Sequence, residues 1–244
     1  MSETPAAPRP YRDKPVSFVR RSGRVTEAQD RAWSELAPHY VIDVQRDAAA
    51  TSILPGSALD PAAVWGRTAP LIAEIGSGQG HAIVHAAGSH PDTDFLAIEV
   101  FRAGLARTML DADRAELGNL RLVEANAPEV LQHLLPEASL DELWIFFPDP
   151  WHKNKHTKRR LITPEFAPLA AHALKDDGML RLATDWEDYA LQMRESLDPA
   201  PGFTRAFEGE WAPRFDGRIE TAFERKGARV GRDIRDLSYR RVPR

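Results

Sequence analysis

The sequence predicts an α/β fold, a doubly wound and mostly parallel sheet with an antiparallel hairpin at one edge. Three observations carry this. From Leu71 onward short apolar runs alternate with amphipathic stretches, the order that builds strands joined by crossover helices. Leu143-Trp144-Ile145-Phe146-Phe147 is apolar throughout, as a strand buried on both faces of a parallel sheet requires. The first strand runs into Gly76-Ser77-Gly78-Gln79-Gly80, and glycines in such a turn let the backbone take positive φ and approach a ligand.

Taken in order, residues 1 to 25 read as a flexible basic arm, because Pro5, Pro8, Pro10 and Pro15 break any regular element. Residues 26–244 then form one domain. Thr26 and Gln29 have capping-box spacing and open a helix that ends before Pro38. Leu71–Ile75 is a strand, Gln79–Ala87 a helix ending at Gly88, and Phe95–Ile98 a strand. Arg102–Leu117 carries Leu105, Met109 and Leu110 on one helical face and has Gly118 as its stop. Leu120–Val123 is a strand, Pro128–Leu135 a short helix begun by proline, and Leu140–Phe147 the central strand. Thr163-Pro164 opens a helix with an apolar stripe of Phe166, Leu169, Ala170 and Leu174, stopped by Gly178. Met179–Ala183 is a strand and Trp186–Leu197 a helix, and strand-like stretches at Phe203–Phe207 and Ile219–Glu224 supply the edge hairpin.

The chain has 244 residues, enough for one α/β domain with a sizeable core. It contains no cysteine, which excludes disulfides and cysteine-based metal sites and fits a reducing cytosol. No apolar run has the length of a membrane span, and the proline-rich start lacks a signal-peptide core, so a cytoplasmic protein is expected. The formal net charge is −4, yet basic residues gather in three places: the arm, Lys153 to Arg160, and the stretch from Arg225 to Arg244. Separate basic patches on an otherwise acidic chain suit one structured polyanion, such as a folded RNA, better than indiscriminate coating of nucleic acid.

The most informative run is Phe146-Phe147-Pro148-Asp149-Pro150-Trp151-His152-Lys153. Two prolines cannot donate to a sheet ladder, so the strand stops there. Asp149 is therefore held in a stiff turn at the carboxyl end of a central strand, where open α/β sheets bind ligands. The basic block after it can grip phosphate.

The glycine loop does not match the dinucleotide fingerprint. Counted from Gly76, the third required position is His81; counted from Gly78, the third falls in apolar sequence without glycine. Glu74 ends the strand before the loop, where a carboxylate repels a pyrophosphate but suits a cofactor bearing an ammonium and a sulfonium. Glu99 ends the second strand, where an acid accepts ribose hydroxyls. Each also fits a structural role, Glu74 as an acceptor of loop N–H groups and Glu99 as an exposed strand end; together they favour S-adenosylmethionine over NAD. Asn126, after the third strand, fits either adenine recognition or a helix cap. Asp185 likewise fits a helix cap or a substrate contact. The pairs His81/His85 and His152/His156 lack a third ligand, so no metal site is expected.

These runs, with Ser17-Phe18-Val19-Arg20-Arg21, Ala97-Ile98-Glu99-Val100, Lys158-Arg159-Arg160, Ala183-Thr184-Asp185-Trp186 and Thr221-Ala222-Phe223-Glu224, closely resemble the bacterial single-chain tRNA (guanine-N7-)-methyltransferase family, in family order across residues 16 to 226. The resemblance implies a Rossmann-like class I fold dependent on S-adenosyl-L-methionine. It assigns Glu74, Gly76, Gly78, Glu99, Asn126 and Asp149 to the cofactor site, with Asp149 also catalytic. It assigns Lys153, Asp185, Thr221, Ala222, Phe223 and Glu224 to substrate, and Lys155, His156, Lys158, Arg159 and Arg160 to RNA. Asn126 stands where relatives carry aspartate. The implied partner is tRNA, methylated at guanine 46 of the variable loop, with no membrane, no obligatory protein partner, and a monomer or homodimer as the working unit. The alternatives are methylation of an exocyclic amine, an RNA-binding protein without catalysis, and an NAD oxidoreductase.

Overall fold

The computed structural model describes residues 26–220, 224 and 231–244. The expected basic arm at 1–25 and the segment Thr221 to Phe223 lie outside the described residues. The strands are β1 Leu71–Ile75, β2 Asp94–Glu99, β3 Leu120–Glu124, β4 Leu140–Phe146, β5 Leu174–Thr184, β6 Phe203–Arg205 and β7 Arg235–Arg241. The α-helices among the described residues are α1 Glu27–Glu35, α2 Ala37–Tyr40, α3 Pro61–Trp65, α4 His81–Ser89, α5 Arg102–Arg114, α6 Ala127–Glu129, α7 Phe166–Ala173 and α8 Glu187–Leu197.

The strands form one sheet in the order β3-β2-β1-β4-β5-β7-β6. The first five are parallel, and β7 pairs antiparallel with both β5 and β6. Strand order runs outward in one direction from β1 and in the other from β4, so the crevice between their carboxyl ends is the topological switch point. In β4, Leu143 and Ile145 enter the core beneath α7 and α8, while Trp144 and Phe146 enter the core with α4 and α5. Leu143 and Ile145 are fully buried, and such side chains contribute about 1.5–3 kcal/mol each through apolar burial. Burial on both faces is what the unbroken apolar run required.

The capping box forms as read: Thr26 accepts the Gln29 N–H at 3.3 Å and Gln29 Oε1 accepts the Thr26 N–H at 2.9 Å. Several boundaries differ. The helix expected from Gln79 begins at His81, because Gly80 sits at φ 77° as its N-cap. The helix expected to reach Leu117 ends at Arg114, and the left-handed residue beyond it is Glu116 at φ 52°, ahead of Gly118. Pro128 lies in the three-residue α6, which passes into one π-helical turn, Val130–Leu134.

Two expectations are overturned. Leu174 does not end a helix; it begins β5, and Gly178 lies inside that strand, where pairing with β4 shifts register between Leu140 and Glu142. A Cβ at Gly178 would come within 2.9 Å of the Lys175 carbonyl oxygen and 3.1 Å of that of Asp141, so glycine marks a bulge there. The edge pair is antiparallel, but its second strand is Arg235–Arg241 and not Ile219–Glu224; Ile219 and Glu220 are not in a strand. The final strand was hidden because Arg235-Asp236-Leu237-Ser238-Tyr239-Arg240-Arg241 is mostly polar. Burial of Asp236 and Ser238 comes from the partners they meet, not from an apolar pattern.

Candidate active site

The site is built on the carboxyl ends of β1, β2 and β4. Glu74 pairs in register with Ala97 of β2 and Trp144 of β4, so three strand ends meet around it. Gly76 follows at φ 72° and Gly78 at φ 59°. The Gly76 N–H donates to the Ile98 carbonyl at 2.8 Å, which folds the loop over the end of β2. α5 presses on the loop from beside: a Cβ at Gly104 would lie 2.1 Å from the Gly78 carbonyl oxygen. Only glycine allows that approach.

Glu74 is buried, and its Oε2 has no hydrogen-bond partner among the described atoms. Burial, reinforced by the charge of Glu99 and opposed by the Ile83 N–H, pushes its carboxyl up to about 8. The loop-holding role weighed for Glu74 belongs to Glu99, whose carboxylate accepts N–H groups from Gly78, Val100 and Phe101. Two of those donors lie at the N-terminus of α5, where a carboxylate is favoured by the unsatisfied N–H groups and the helix dipole. Glu99 is thus fixed in orientation while keeping lone pairs for hydroxyl donors.

Asn126 holds the N-cap position of α6, but its side chain makes no capping hydrogen bond there. Its amide nitrogen donates to Glu129 Oε1 at 3.0 Å, and Glu129 Oε2 accepts the Ile53 N–H at 2.9 Å. The Asn126 N–H donates to the Thr51 carbonyl at 2.7 Å. Asn126 Oδ1, Thr51 Oγ1 and Ser77 Oγ are buried atoms without a hydrogen-bond partner among the described residues. The segment from Val41 to Leu59 packs beside β3: Val41 bridges to Leu122 and Arg46 donates to the Glu124 carbonyl at 2.7 Å. Sequence reasoning missed this segment, which has neither helical nor strand periodicity to announce it.

Asp149 lies on a turn whose two ends are both left-handed, Phe147 at φ 51° and Trp151 at φ 45°. Positive φ at bulky residues stores strain, and such strain persists only where surroundings over-determine it. Here the surroundings are three arginines. Arg218 lies 5.4 Å from the Phe147 ring centroid, Arg159 lies 4.9 Å from that of Trp151, and Arg160 Nε donates to the Pro150 carbonyl at 2.8 Å. The negative charge of Asp149 is felt at Tyr189, whose hydroxyl is raised first by burial.

The basic block forms a 3-10 helix, Asn154–Arg159, with Lys153 at its N-cap. Lys153, Lys155 and Lys158 are exposed, as phosphate contacts need to be. His156 packs 5.9 Å from Trp151 between ring centroids; desolvation, then Arg159, Lys155, Lys153 and His152, lower its pKa and favour the neutral imidazole. Arg160 departs from the expectation. Its side chain is 3% exposed and ion-paired with Asp188 at 2.6 Å, so it faces inward.

Asp185 does not cap α8 either; the N-cap is Trp186, and Asp185 pairs with Arg232 at 2.9 Å. Arg232 in turn lies 5.1 Å from the Trp186 ring centroid, and His152 packs 5.9 Å from the same ring. Glu224, expected to face substrate, is buried and paired with Arg218 at 2.6 Å. Arg218 also makes a forked pair with Asp236. Thr221, Ala222 and Phe223, which join this cluster in sequence, lie outside the described residues. Among the described residues no group of three or more His, Cys, Asp or Glu side chains is placed to hold a metal ion, and no helix is long and apolar enough to cross a membrane.

Residues 68–237 match a family described as a putative methyltransferase. A tRNA (guanine-N(7)-)-methyltransferase of Paenarthrobacter aurescens is 45% identical over 99% of this chain and 100% of its own length. One from Cutibacterium acnes is 47% identical over 93% of this chain and 83% of its own. Among solved structures, the 16S rRNA methyltransferase KamB superposes with a TM-score of 0.53 at 15% identity, covering 94% of this chain and 99% of that one. A 16S rRNA (adenine(1408)-N(1))-methyltransferase from Catenulisporales acidiphilia gives 0.52 at 15% identity, over 76% of this chain and 95% of that one. At that identity the structural likeness shows the fold alone.

Proposed function

The chain belongs to the tRNA (guanine-N(7)-)-methyltransferase family, and we propose that it methylates N7 of guanine 46 in the variable loop of tRNA, with Asp149 as the catalytic carboxylate. The observation that carries this is the combination of a buried, half-satisfied Glu74 on β1 with Asp149 on a proline-locked turn beyond β4 whose ends, Phe147 and Trp151, are strained.

The residues fit S-adenosylmethionine. Glu74 Oε2 supplies a partner for a cation, Glu99 keeps acceptor capacity for ribose hydroxyls, and Asn126 Oδ1 an acceptor for an exocyclic amine. When bound, this cofactor supplies an electrophilic methyl group on a sulfonium. Guanine N7 carries a lone pair and no proton at neutral pH, so Asp149 has no proton to remove. Its work is to orient the purine and to offset the positive charge that the ring acquires. The two prolines and the strained ends keep Asp149 from relaxing toward solvent, so its orientation is set before substrate arrives. Lys153, Lys155, Lys158 and Arg159 present cations on one short helix beside it and hold the phosphates of the RNA.

The test is the nucleoside made from unmodified tRNA and labelled cofactor. This reading expects 7-methylguanosine, lost in Asp149→Ala with the fold intact; undiminished transfer by Asp149→Ala would contradict it.

A further inference from the structure

We propose that Arg160 is a positioning residue for Asp149 and not a contact to RNA. Its guanidinium is used from every nitrogen: Nε donates to the Pro150 carbonyl at 2.8 Å, Nη1 to Gln192 Oε1 at 2.9 Å, and Nη2 to Asp188 Oδ2 at 2.6 Å. The plane lies 4.8 Å from the Tyr189 ring centroid. At 3% exposure, with three of its five N–H donors committed to these partners, such a group has no route to a phosphate.

What it does hold is the turn. Pro148 and Pro150 have no N–H, so two backbone donors that would normally anchor a tight turn are missing. The Pro150 carbonyl is one handle next to Asp149, and Arg160 ties it to α8. Asp188 and Gln192 are one helical turn apart on α8, which matches the fork of a guanidinium. The tie is braced: Gln192 donates to the Ile162 carbonyl at 3.0 Å, and the Tyr189 hydroxyl accepts the Ile162 N–H at 3.1 Å. The reactive turn is thereby tied to α8 through a planar cation. Lysine cannot reproduce three directed bonds from one plane.

This inference rests on Asp149 being the catalytic carboxylate. The experiment compares Arg160→Gln, Arg160→Lys and Arg159→Gln, measuring the single-turnover methyl-transfer rate at saturating tRNA and cofactor, and tRNA affinity as a function of salt. Arg160→Gln is expected to lower the rate roughly 10- to 100-fold, the scale of a misplacement near 1 Å, with tRNA affinity and its salt slope unchanged. Arg160→Lys recovers part of the rate. Arg159→Gln weakens tRNA binding and flattens the slope. If Arg160→Gln fails to fold, Asp188→Asn serves, since Asp188 is 57% exposed and its loss empties no core; a lower rate at full tRNA affinity supports the proposal and an unchanged rate overturns it. Arg160→Gln with weakened, less salt-sensitive binding and a normal saturated rate also overturns it. Asp149→Ala is run alongside. If that variant is active, the parent reading fails; if it is inactive while Arg160→Gln is fully active, only the role of Arg160 fails.

Discussion

One oxygen of Glu99 accepts the Gly78 N–H at 2.8 Å, which ties the end of β2 to the glycine loop that leaves β1. The carboxylate proposed for the ribose hydroxyls therefore also sets the shape of the loop. Glu99→Gln places an amide where an anion met three N–H groups, and losing a charge-assisted bond costs about 1.5–3 kcal/mol. The expected outcome is a roughly 10- to 100-fold loss of affinity for S-adenosylhomocysteine in calorimetric titration, beyond what removal of ribose contacts in a deoxy analogue produces.

Glu74 gives the site a pH dependence with a definite sign. Its carboxyl is held near 8 in the fold, against 4.5 ordinarily. Between those values the unfolded chain has released a proton that the folded chain keeps, so stability of the cofactor-free protein falls as pH rises from 4.5 to 8 and then levels. A cationic ligand favours the ionised form, so binding below pH 8 expels a proton and affinity rises toward pH 8. Calorimetry in buffers of different ionisation enthalpy at neutral pH is expected to show release of about one proton; Glu74→Gln is expected to abolish that release.

Gly104→Ala tests the contact between α5 and the loop. A methyl group 2.1 Å from the Gly78 carbonyl oxygen forces helix and loop apart. Overpacking of this kind costs about 1–3 kcal/mol, read as a lower melting temperature. The displaced loop is also expected to weaken cofactor binding more than the nearby substitution Gly118→Ala, where a Cβ meets open space.

Arg218 is fully buried between Asp236 and Glu224. Burial outweighs the arginine at Asp236, whose carboxyl is held above its ordinary value. Such a cluster is costly to assemble and costlier to break: Arg218→Ala strips the buried Asp236 and Glu224 of the arginine they share, for about 3–5 kcal/mol of lost stability. Urea unfolding followed by tryptophan fluorescence measures the loss. The effect of Arg218→Ala on Phe147, 5.4 Å beneath the guanidinium, carries it into the reactive turn as well.

Much of this was legible in the sequence, for physical reasons that differ from place to place. β1, β2 and β4 announced themselves through the apolar runs Leu71–Ala73, Phe95–Ile98 and Leu143–Phe146, which strands buried on both faces require. The Phe147–Trp151 turn was legible because two prolines permit few other conformations. Arg160 was misread because a basic run looks alike whether each cation points to solvent or inward; only the carboxylate and amide of Asp188 and Gln192, distant in sequence, decide it. β7 was missed for the related reason that its Asp236 is neutralised by Arg218, a partner in another segment. The Val41–Leu59 segment gave no signal because its order comes from backbone bonds to Leu122, Glu124 and Asn126. Local pattern fails where polar groups are satisfied at long range.

The most direct measurement is methyl transfer from labelled S-adenosylmethionine to unmodified tRNA, with the product nucleoside identified by mass spectrometry and the site mapped along the RNA. The account predicts 7-methylguanosine at position 46, absent when guanine 46 is replaced and absent with Asp149→Ala. A methylated exocyclic amine, or 7-methylguanosine formed at the normal rate by Asp149→Ala, would contradict it.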